Sequence, residues 1–515
     1  MNEQFDPVTR KHVTERETFE SASREEQQHV VERLHEKGAR ESAPNFYEKL
    51  EHEQDEKQRE LLRLSIDIAE AVDQRGGLAL VVGGYARDEA LRKFGFEVGS
   101  KDIDIEVYGL SIDQLTQVLQ QFGEPDTVGA SFGVIKLRGL DISIPRKDSK
   151  TGKGHKGFAV EGDPTMLIAE AARRRDFTIN ALALNPLTGE IIDHYGGIND
   201  IQNRVLRATD FELFKDDPLR VLRAMQLAGR FEFSVEENTA ELCRSIDLSE
   251  LSKERVGEEW EKLLLKSKKP SIGLEVAKNL KVLEKLHPEL DQLRDVPQDA
   301  EWHPEGDVWV HTKLVADAAA EIVRRENLEE QEAYVIMLAA LCHDLGKPET
   351  TATSNDERII SHGHSEASLP MTQKFLDSLV VSRELSARVL PLVREHLFPA
   401  QNIDPSPAAV RRLAHRLHPA TIQELLLVAE SDQRGRALPF EGLPGGAILL
   451  RRAQELSLTM SKPTPILMGR HLIEMGAKPG PNFSRILSAI YEAQMDGEVS
   501  TLEEAQAKAR SLLTQ

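Results

Sequence analysis

The sequence predicts an α+β protein in which a head with a small mixed sheet is followed by a mostly α-helical body. Between residues 78 and 144, short apolar or alternating runs are separated by glycine turns, which is the pattern of strands. Beyond Asp163, apolar residues recur at helical spacing almost to the end of the chain. Loops are expected to interrupt these helices at 185–199, 294–308, 348–364, 399–407 and 437–446.

The head is predicted to begin with a strand, a glycine turn and a helix. Leu78–Val82 is apolar throughout, a Gly-Gly pair follows it, and 86–93 has helical spacing. Residues 102–107 alternate acidic and apolar side chains as a half-buried strand does. Residues 134–144 have the pattern of a further strand with a turn at Gly139.

Composition indicates a multidomain globular protein. A chain of 515 residues with 40% hydrophobic content can bury several cores. Cys243 and Cys342 are too few for a disulfide framework or a cysteine-based metal site. No apolar run reaches the roughly 18 residues that span a bilayer, and the N-terminus lacks an apolar signal core. We therefore expect a cytoplasmic protein.

The charge distribution bears on a nucleic-acid partner. A formal net charge of -21 repels polyanions, so RNA binding requires local basic patches. Two such patches occur, at 145–157 and at Arg173–Arg175. Each is equally typical of a solvated surface.

Asp102 and Asp104 form the first candidate site. Because they lie two apart on a predicted strand, both carboxylates leave the same face while Ile103 and Ile105 enter the core. Such a pair can hold magnesium, which in phosphoryl transfer activates the attacking hydroxyl and neutralises charge on the leaving pyrophosphate. Taken alone, the pair is more typical of a solvated strand face.

The glycine pair before the predicted helix makes the first site more specific. Glycines at the start of a helix let backbone N–H groups approach a triphosphate, and Arg87 in the same helix offers a guanidinium fork. An ordinary strand-to-helix turn has the same glycines. The two motifs in this order are more specific than either one.

Four runs of sequence carry a family resemblance. They are VVGGYARD, KDIDIE, ARRRDFTINALALNPLTGEIIDHYGGINDI and FKDDPLRVLRAMQLAGRF. Together they resemble the bacterial and eukaryotic class of tRNA nucleotidyltransferases and poly(A) polymerases, of the DNA polymerase β superfamily. The resemblance covers about residues 75–500. It implies a polymerase-β-like head that uses Mg²⁺, ATP and CTP, with tRNA as the partner.

The resemblance also implies roles for individual residues of the head. Asp102 and Asp104 match the catalytic metal-binding pair, and Asp141 falls where a third acidic residue is expected on a neighbouring strand. The implied phosphate contacts are Gly83, Gly84 and Arg87.

Sugar and base recognition are implied by two further motifs. Arg174, Arg175 and Asp176 match the family's RRD motif, with Asn180 on the same motif. A carboxylate can accept from both ribose hydroxyls, so Asp176 is expected to favour ribonucleotides. Asp217 and Arg220 match the base-reading pair of the EDxxR motif, in which Asp216 stands where the family usually has glutamate. Residues three apart share a helix face, which lets both side chains reach one base.

A second constellation lies in the predicted helical body. His343 and Asp344 follow an apolar helix at 334–342, and other histidines and an aspartate are spread over neighbouring helices. These others are His311, His362, His364, His396 and Asp432. Imidazole and carboxylate together suit a divalent transition metal with positions open to water and phosphate. A lone histidine is usually structural, whereas this order of ligand types is more specific.

The order of these ligands resembles the HD phosphohydrolase superfamily. The surrounding runs WHPEGDVWVHT, LAALCHDLGKPETT, SHGHSE and AESDQRGR resemble HD domains fused to bacterial tRNA nucleotidyltransferases. The implied core ligands are His311, His343, Asp344 and Asp432, and His396 with His364 or His362 would complete a second metal site. The implied chemistry is attack of metal-activated water on a phosphate ester, as in a 2′,3′-cyclic phosphodiesterase, a 2′-nucleotidase or a phosphatase.

The sequence thus predicts a templateless tRNA nucleotidyltransferase that adds CCA, or part of it, and has a second hydrolase site. A poly(A) polymerase, an HD phosphohydrolase with an RNA-binding head and an RNA-binding scaffold are the alternatives. The predicted segments are a charged helical or partly disordered extension (1–75), the nucleotidyltransferase head (76–200), a helical nucleotide- and RNA-binding domain (201–295), the HD domain (296–440) and a C-terminal helical tail (441–515).

Overall fold

The protein is described here by a computed structural model that covers residues 39–99, 102–126, 134–150, 158–443 and 445–513, with the backbone alone at 39–41, 147–150 and 158–161. Most of the basic run at 145–157, and the first half of the predicted N-terminal extension, lie outside the described side chains. Among the described helices, none has the length and apolar character that crossing a bilayer requires.

The chain divides into two compact units. The first, called the head unit, consists of Met1–Ala224 and Phe233–Glu250. The second, called the helical unit, consists of Met225–Glu232 and Leu251–Gln515. The five finer segments predicted from the sequence stay predictions.

The head unit is built on one mixed sheet of seven strands, ordered β1-β9-β8-β2-β3-β5-β4. Neighbours in the sheet are antiparallel, except for β3 and β5, which are parallel. The strands of this unit are β1 (Ala39–Ser42), β2 (Leu78–Val82), β3 (Asp104–Tyr108), β4 (Val134–Leu137), β5 (Leu140–Ser143), β6 (Arg146–Lys150), β7 (Phe158–Gly162), β8 (Ala183–Leu184), β9 (Glu190–Asp193), β10 (Val205–Leu206) and β11 (Ser234–Val235).

The central strands follow from their side-chain pattern. All five residues of β2 are buried, as an unbroken apolar strand with neighbours on both sides requires. In β3, Ile105 and Val107 are buried while Asp104 is exposed, so the alternation in the sequence corresponds to the two faces of the sheet. The predicted strand at 134–144 is a hairpin of β4 and β5 with its turn at Arg138 and Gly139.

Helices cover the sheet and continue to the end of the head unit. They are α1 (Phe46–His52), α2 (Glu56–Asp73), α3 (Gly84–Lys93), α4 (Ile112–Leu119), α5 (Ile168–Arg173), α6 (Gly197–Gln202), α7 (Phe211–Phe214), α8 (Leu219–Phe231, which crosses into the helical unit) and α9 (Glu237–Ser245), with a short 3₁₀ helix at Thr178–Asn180. The helix predicted at 86–93 is α3, which begins two residues earlier.

Residues 39–73 belong structurally to the head unit. Strand β1 pairs with β9 at the edge of the sheet, and α2 packs against β2 and α4. Helix α2 buries an apolar face that includes Leu62, Ile66 and Ile68. The loop predicted at 185–199 is partly wrong, because it contains β9, whose residues Ile191 and Ile192 are buried in the sheet.

The helical unit contains the remaining helices and one short hairpin, β12 (Ala352–Thr353) and β13 (Ile359–Ile360), inside the loop predicted at 348–364. The helices are α10 (Lys253–Lys266), α11 (Pro270–Asn279), α12 (Val282–Leu286), α13 (Pro288–Asp291), α14 (Val308–Arg325), α15 (Glu330–Cys342), α16 (Lys347–Thr350), α17 (His364–Ser378), α18 (Arg383–Glu395), α19 (Phe398–Gln401), α20 (Pro407–Leu417), α21 (Ile422–Gly435), α22 (Gly446–Glu455), α23 (Gly469–Glu474), α24 (Pro481–Asp496) and α25 (Leu502–Leu513).

Helix α15 is the centre of this unit. Every residue from Ala333 to Cys342 is buried, and α15 packs against α10, α14, α18 and α21. A helix that is apolar on all sides is stable only inside a core. Because its last turn lies at the centre of the bundle, the two residues that follow it, His343 and Asp344, are also held in the interior.

Candidate functional site

Three aspartates lie at one end of the central strands of the head. Asp104, the first residue of β3, is in register with Asp141 on the parallel strand β5 and with Val82, the last residue of β2. Asp102 lies two residues before Asp104, outside β3, and is exposed. The structure therefore brings the three predicted carboxylates to the same end of the central strands. Asp102 lies in the segment that precedes β3, not within the strand.

Like charges are crowded around Asp104. Partial desolvation raises the pKa of Asp104, and the carboxylates of Asp141 and Asp102 raise it further, whereas Arg175 lowers it. Lys136 forms an ion pair with Asp141 at 3.3 Å. A cation relieves such crowding, and carboxylate oxygens are the ligands that Mg²⁺ prefers. Among the described residues, three metal-ligand atoms within 4.8 Å of one another occur only in the helical unit, so the three aspartates of the head are neighbours but do not form so tight a group.

The glycine turn lies directly beside these aspartates. Gly83 has φ 68° and ψ -131°, which glycine adopts readily and other residues rarely do. A Cβ at this position would lie 3.2 Å from a terminal guanidinium nitrogen of Arg175 and 3.5 Å from a carboxylate oxygen of Asp104. Gly84 is the first residue of α3, whose N-terminus has no side-chain cap. A free helix N-terminus and an arginine next to paired carboxylates suit a metal-bound phosphate group.

Arg87 lies in a buried network. Its Nε donates to Asp88 Oδ1 at 2.7 Å, and its Nη1 donates to Asn180 Oδ1 at 2.9 Å. Asn180 then donates to Asp176 Oδ1 at 2.9 Å, and Arg223 Nε donates to Asp176 Oδ2 at 2.5 Å. These bonds join α3, the 3₁₀ helix and the first turns of α8. A phosphate contact by Arg87 stays a prediction.

Asp176 is the centre of that network. Its side chain is buried, and Oδ1 also accepts from the backbone N–H of Phe177 at 2.8 Å. Burial opposes ionisation, but Arg223, Asn180 and the N–H of Phe177 outweigh it and lower the pKa of Asp176. Asp176 is therefore an ionised, firmly positioned acceptor. The sugar contact implied by the RRD motif stays a prediction.

The predicted base-reading pair stands at the start of α8. Asp217 Oδ1 accepts from the N–H of Leu219 at 3.1 Å, which caps the helix. Arg220 donates from Nη1 to the carbonyl oxygen of Leu213 at 2.9 Å and from Nη2 to that of Arg174 at 2.7 Å. The head unit thus brings the RRD and EDxxR motifs together through a direct contact between Arg220 and Arg174.

The predicted metal ligands of the helical unit converge on one buried cluster, the HD cluster. They are His311 in α14, His343 and Asp344 after α15, His364 at the start of α17, His396 after α18 and Asp432 in α21. His362, by contrast, is exposed. The structure therefore places His364, and not His362, in the buried cluster.

Asp344 stands between two groups of histidines. Its Oδ2 lies 3.1 Å from His343 Nε2 and 3.8 Å from His311 Nε2. Its Oδ1 lies 3.3 Å from His364 Nε2. His311 Nε2 is also 3.1 Å from Asp432 Oδ1. Since the two oxygens of Asp344 face different histidines, this carboxylate could share a divalent cation with the histidines on either side of it.

Each histidine of the cluster is oriented through its other ring nitrogen. Nδ1 lies within hydrogen-bond distance of an oxygen that can only accept, so Nδ1 carries the proton of the neutral ring and Nε2 faces the interior. The contacts are His343 with Ala340 O (2.8 Å), His364 with Ser361 O (2.7 Å), His396 with Val393 O (2.7 Å) and His311 with Glu305 Oε1 (2.7 Å).

The buried polar atoms of the cluster face one another and Lys347. Nε2 of His311, Nε2 of His343 and both oxygens of Asp344 form no hydrogen bond of good geometry among the described residues, although the ammonium of Lys347 lies 2.7 Å from Asp344 Oδ2. Nε2 of His364 and Nε2 of His396 face each other at 3.4 Å. Buried polar atoms are almost always satisfied, and two facing lone pairs repel. A divalent metal ion fits this donor set.

Protonation states in the cluster also favour a metal. Burial opposes ionisation of Asp344, but His343 and Lys347 outweigh it and hold its pKa well below the ordinary value. Burial and the neighbouring His343 lower the pKa of His396 to about 3. The pKa of His311 is raised, because Asp432 outweighs the effect of burial. Ionised carboxylates and mostly neutral imidazoles are the forms that bind metal.

A pocket of about 540 Å³ opens beside the HD cluster. His364 and Lys347 lie where the pocket meets the cluster, and Lys347 Nζ is 2.7 Å from Asp344 Oδ2. The walls add cationic and aromatic side chains, namely Arg394, Arg436, Trp302 and Phe398. The volume and lining suit a ligand of nucleotide size that carries a phosphate.

Comparison with curated proteins identifies close relatives. The chain is 34% identical over 373 residues to a multifunctional CCA protein of Xanthomonas campestris pv. campestris (strain B100), covering 69% of this chain and 85% of the relative. It is 34% identical over 394 residues to that of Stenotrophomonas maltophilia (strain K279a), covering 73% and 90%. The chain belongs to the family of the multifunctional CCA proteins.

Family models match three parts of the chain. Residues 79–207 match the poly A polymerase head domain, 232–293 match a probable RNA and SrmB-binding site of polymerase A, and 308–433 match the HD domain. The expected nucleotidyltransferase with a fused HD domain is thereby confirmed, and the family implies dependence on divalent metal.

Solved structures share this fold. A Bacillus stearothermophilus CCA-adding enzyme in complex with CTP matches with a TM-score of 0.59 at 21% identity, covering 87% of this chain and 96% of that one. A Thermotoga maritima CCA-adding enzyme complexed with tRNA matches with a TM-score of 0.55 at 18% identity, covering 92% and 100%. The predicted α+β class, a head with a small mixed sheet and a helical body, is confirmed.

Sequence reasoning missed two side chains that position site residues. Arg223, the partner of Asp176, follows Arg220 by three residues on the same face of α8, and that spacing was a usable signal. Glu305 accepts from His311 and also lies 2.9 Å from His303 Nδ1. No pattern in the sequence pairs Glu305 with a ligand, because the loop that carries it has no regular spacing.

Proposed function

We propose that this protein adds CCA, or part of it, to the 3′ end of tRNA from CTP and ATP without a nucleic-acid template. The observation that carries the proposal is the grouping of polar residues at one end of the central strands of the head sheet. There Asp104 and Asp141 are in register, and Asp102, the Gly83 turn and Arg175 lie beside them. Membership of the multifunctional CCA protein family supports the substrate assignment.

The chemistry at this end of the sheet is transfer of a nucleotidyl group. Asp102 and Asp104, with Asp141 beside them, would hold Mg²⁺, which supplies charge neutralisation and activation of the attacking 3′ hydroxyl. The backbone at Gly83 and Gly84, together with Arg175, receives the triphosphate. The 3′ hydroxyl gives up its proton to solvent, its oxygen bonds to the α-phosphorus, and the bond from that phosphorus to the pyrophosphate oxygen breaks, which releases pyrophosphate.

Nucleotide selection is assigned to the network behind the aspartates. Asp176 is proposed to select ribose, with Asn180, Arg87 and Arg223 fixing its position. Asp217 and Arg220 are proposed to read the base edge, and Arg174 holds Arg220 through its carbonyl oxygen. Because both base readers are held by main-chain contacts, acceptance of both C and A requires that these contacts exchange between additions.

The test of this activity uses three tRNA transcripts, ending before CCA, after CC, and after the complete CCA. With Mg²⁺ and labelled CTP or ATP, we expect two C residues and one A to be added, followed by arrest. Poly(A) polymerase is the second candidate, since the head matches a poly A polymerase head domain. Open-ended addition of A would support it, and absence of any addition would leave the HD phosphohydrolase with an RNA-binding head.

We further propose that the HD cluster hydrolyses phosphate esters. The buried Nε2 atoms of His311 and His343, and the Nδ1 contacts that orient the histidines, support this assignment. His311, His343, Asp344 and Asp432 would hold one divalent ion, and His364 and His396 would share Asp344 with a second, which together supply activated water. The test compares hydrolysis of adenosine 2′,3′-cyclic phosphate by the wild-type chain and by the Asp344→Asn variant. The variant should lose the hydrolase activity and still add nucleotides to tRNA.

A further inference from the structure

We propose that Trp302 and Arg436 determine the substrate specificity of the HD site, with Trp302 stacking on a nucleobase and Arg436 holding the phosphate ester. The inference rests on the proposed hydrolase function. It concerns which part of a nucleotide each side chain recognises.

Trp302 differs from the other tryptophans of the chain. Trp260 and Trp309 are buried, whereas Trp302 is 53% exposed and lines the pocket beside the HD cluster. An indole held open to solvent forgoes a large hydrophobic burial. At the wall of a polar pocket it offers a flat surface on which a nucleobase stacks.

The segment that carries Trp302 is fixed to the HD cluster. Its side chains make hydrogen bonds to a metal-ligand histidine, to the lysine beside Asp344, and to an arginine next to the β12–β13 hairpin. The bonds are Glu305 Oε1 to His311 (2.7 Å), Gln298 Oε1 to Lys347 (2.7 Å), Asp299 Oδ2 to Arg358 (3.1 Å) and Glu301 Oε2 to Arg358 (2.7 Å). A stacking surface anchored in this way is preorganised relative to the reacting centre.

Arg436 has a guanidinium placed for a phosphate. It lines the same pocket, its Nη2 lies 3.4 Å from Asp432 Oδ2, and its Nε is buried with no hydrogen-bond partner among the described residues. Arg394, on another wall, already donates to Glu395 and to the carbonyl oxygen of Arg416. Of these two arginines, Arg436 is the one with a buried donor left for an oxygen of the ester.

The two side chains imply a division of labour. Asp432 places Arg436 next to the metal positions, where the scissile phosphate must lie, while Trp302 stands at the open wall of the pocket. A ligand that has both a base and a phosphate should therefore bind better than a ligand that has only one of them. Loss of either side chain should weaken only the part of the ligand that it contacts.

Tryptophan fluorescence of the full-length protein tests this division in magnesium buffer. All three tryptophans lie in the helical unit, and the Trp302→Phe variant shows which part of the signal comes from Trp302. Titration with adenosine 2′-monophosphate and with adenosine should quench the emission. Trp302→Phe should remove the quenching by both ligands.

Variants of Arg436 separate the phosphate from the base. Arg436→Ala should raise the half-saturating concentration of adenosine 2′-monophosphate by about 10–150-fold, the equivalent of a lost charge-assisted hydrogen bond, and leave that of adenosine unchanged. Arg436→Lys keeps the positive charge beside Asp432, so its half-saturating concentration of adenosine 2′-monophosphate should lie between those of the wild type and Arg436→Ala. Arg451→Ala removes an exposed positive charge from α22 and should change neither titration.

Hydrolysis provides an independent measurement. For adenosine 2′,3′-cyclic phosphate, Trp302→Ala should raise KM by about 5–150-fold with little change in kcat. Trp302→Phe keeps an aromatic ring, so its KM should be close to that of the wild type. The inference would be overturned if the quenching persisted in Trp302→Phe. It would also be overturned if Arg436→Ala weakened the binding of both ligands by the same factor. If the wild-type chain hydrolyses no ester, the hydrolase proposal fails, and the quenching pattern still decides the roles of the two residues.

Discussion

Replacement of Gly83 by alanine tests whether the glycine turn receives the triphosphate. Gly83 has φ 68° and ψ -131°. A residue with a side chain is strained in this backbone conformation by about 1–3 kcal/mol. The added Cβ would also lie 3.2 Å from the Arg175 guanidinium and 3.5 Å from a carboxylate oxygen of Asp104. Both neighbours are polar groups of the proposed site, so the substitution perturbs the site as well as the backbone.

Gly95→Ala is the matched control. Gly95 has φ 79°, and an added Cβ there meets nothing within 4 Å. It carries the strain of an alanine at positive φ without contact to the site. Both variants should therefore lose about 1–3 kcal/mol of stability, seen as a fall of about 2–4 °C in Tm for each kcal/mol in a unit of this size.

Only Gly83→Ala should impair nucleotide addition. Displacement of one charge-assisted contact to the triphosphate costs about 1.5–3 kcal/mol, or about 10–150-fold in kcat/KM for CTP. The assay is single-nucleotide addition of labelled CTP to a tRNA transcript that lacks CCA, well below both Tm values. Equal kcat/KM values in Gly83→Ala and Gly95→Ala would refute the assignment of the turn to the phosphates.

Three further predictions separate the two sites. Asp104→Asn should abolish CTP addition and spare ester hydrolysis, whereas Asp344→Asn should do the reverse, and parallel loss of both activities in either variant would contradict independent sites. The pKa of Asp104 is raised, so Asp104 becomes protonated at a higher pH than an ordinary aspartate, and Mg²⁺-dependent nucleotide addition should decrease as the pH falls. Asp141→Asn removes a carboxylate that raises the pKa of Asp104. In this variant the decrease in activity should occur at a lower pH. Glu305→Ala should weaken metal binding at the HD cluster by about 10–100-fold, measured by calorimetric titration, since His311 loses the acceptor that fixes its tautomer, and CTP addition should not change.

Several elements of the fold were readable because their pattern is local. The β2 strand and the α3 helix followed from an unbroken apolar run and from helical spacing, and both were found within two residues of the prediction. Strand β9 was missed because it follows a turn-rich stretch and is short, and its place is fixed by pairing with β8 and β1. Pairing with distant segments leaves no periodic signal in a strand of four residues.

The candidate sites divide in the same way. The residue types and their order predicted both constellations, but the ambiguity between His362 and His364 was removed only by burial, since one is exposed and the other lies in the cluster. Arg87 was expected at the phosphates, and the structure places its guanidinium against Asp88 and Asn180. Its contact with a ligand stays a prediction, because the sequence motif does not specify which neighbours share the donors.

The sequence by itself determined the order of the two functional regions, the chemical types of the ligands and the family, because these depend on residue identity and spacing along the chain. The tertiary structure decided which ligands meet. It set Asp141 in register with Asp104 through a parallel strand pair, gave Asp176 its partner Arg223, and placed Glu305 behind His311. Contacts between residues far apart in the chain depend on how strands pair and helices pack, and no local pattern encodes them.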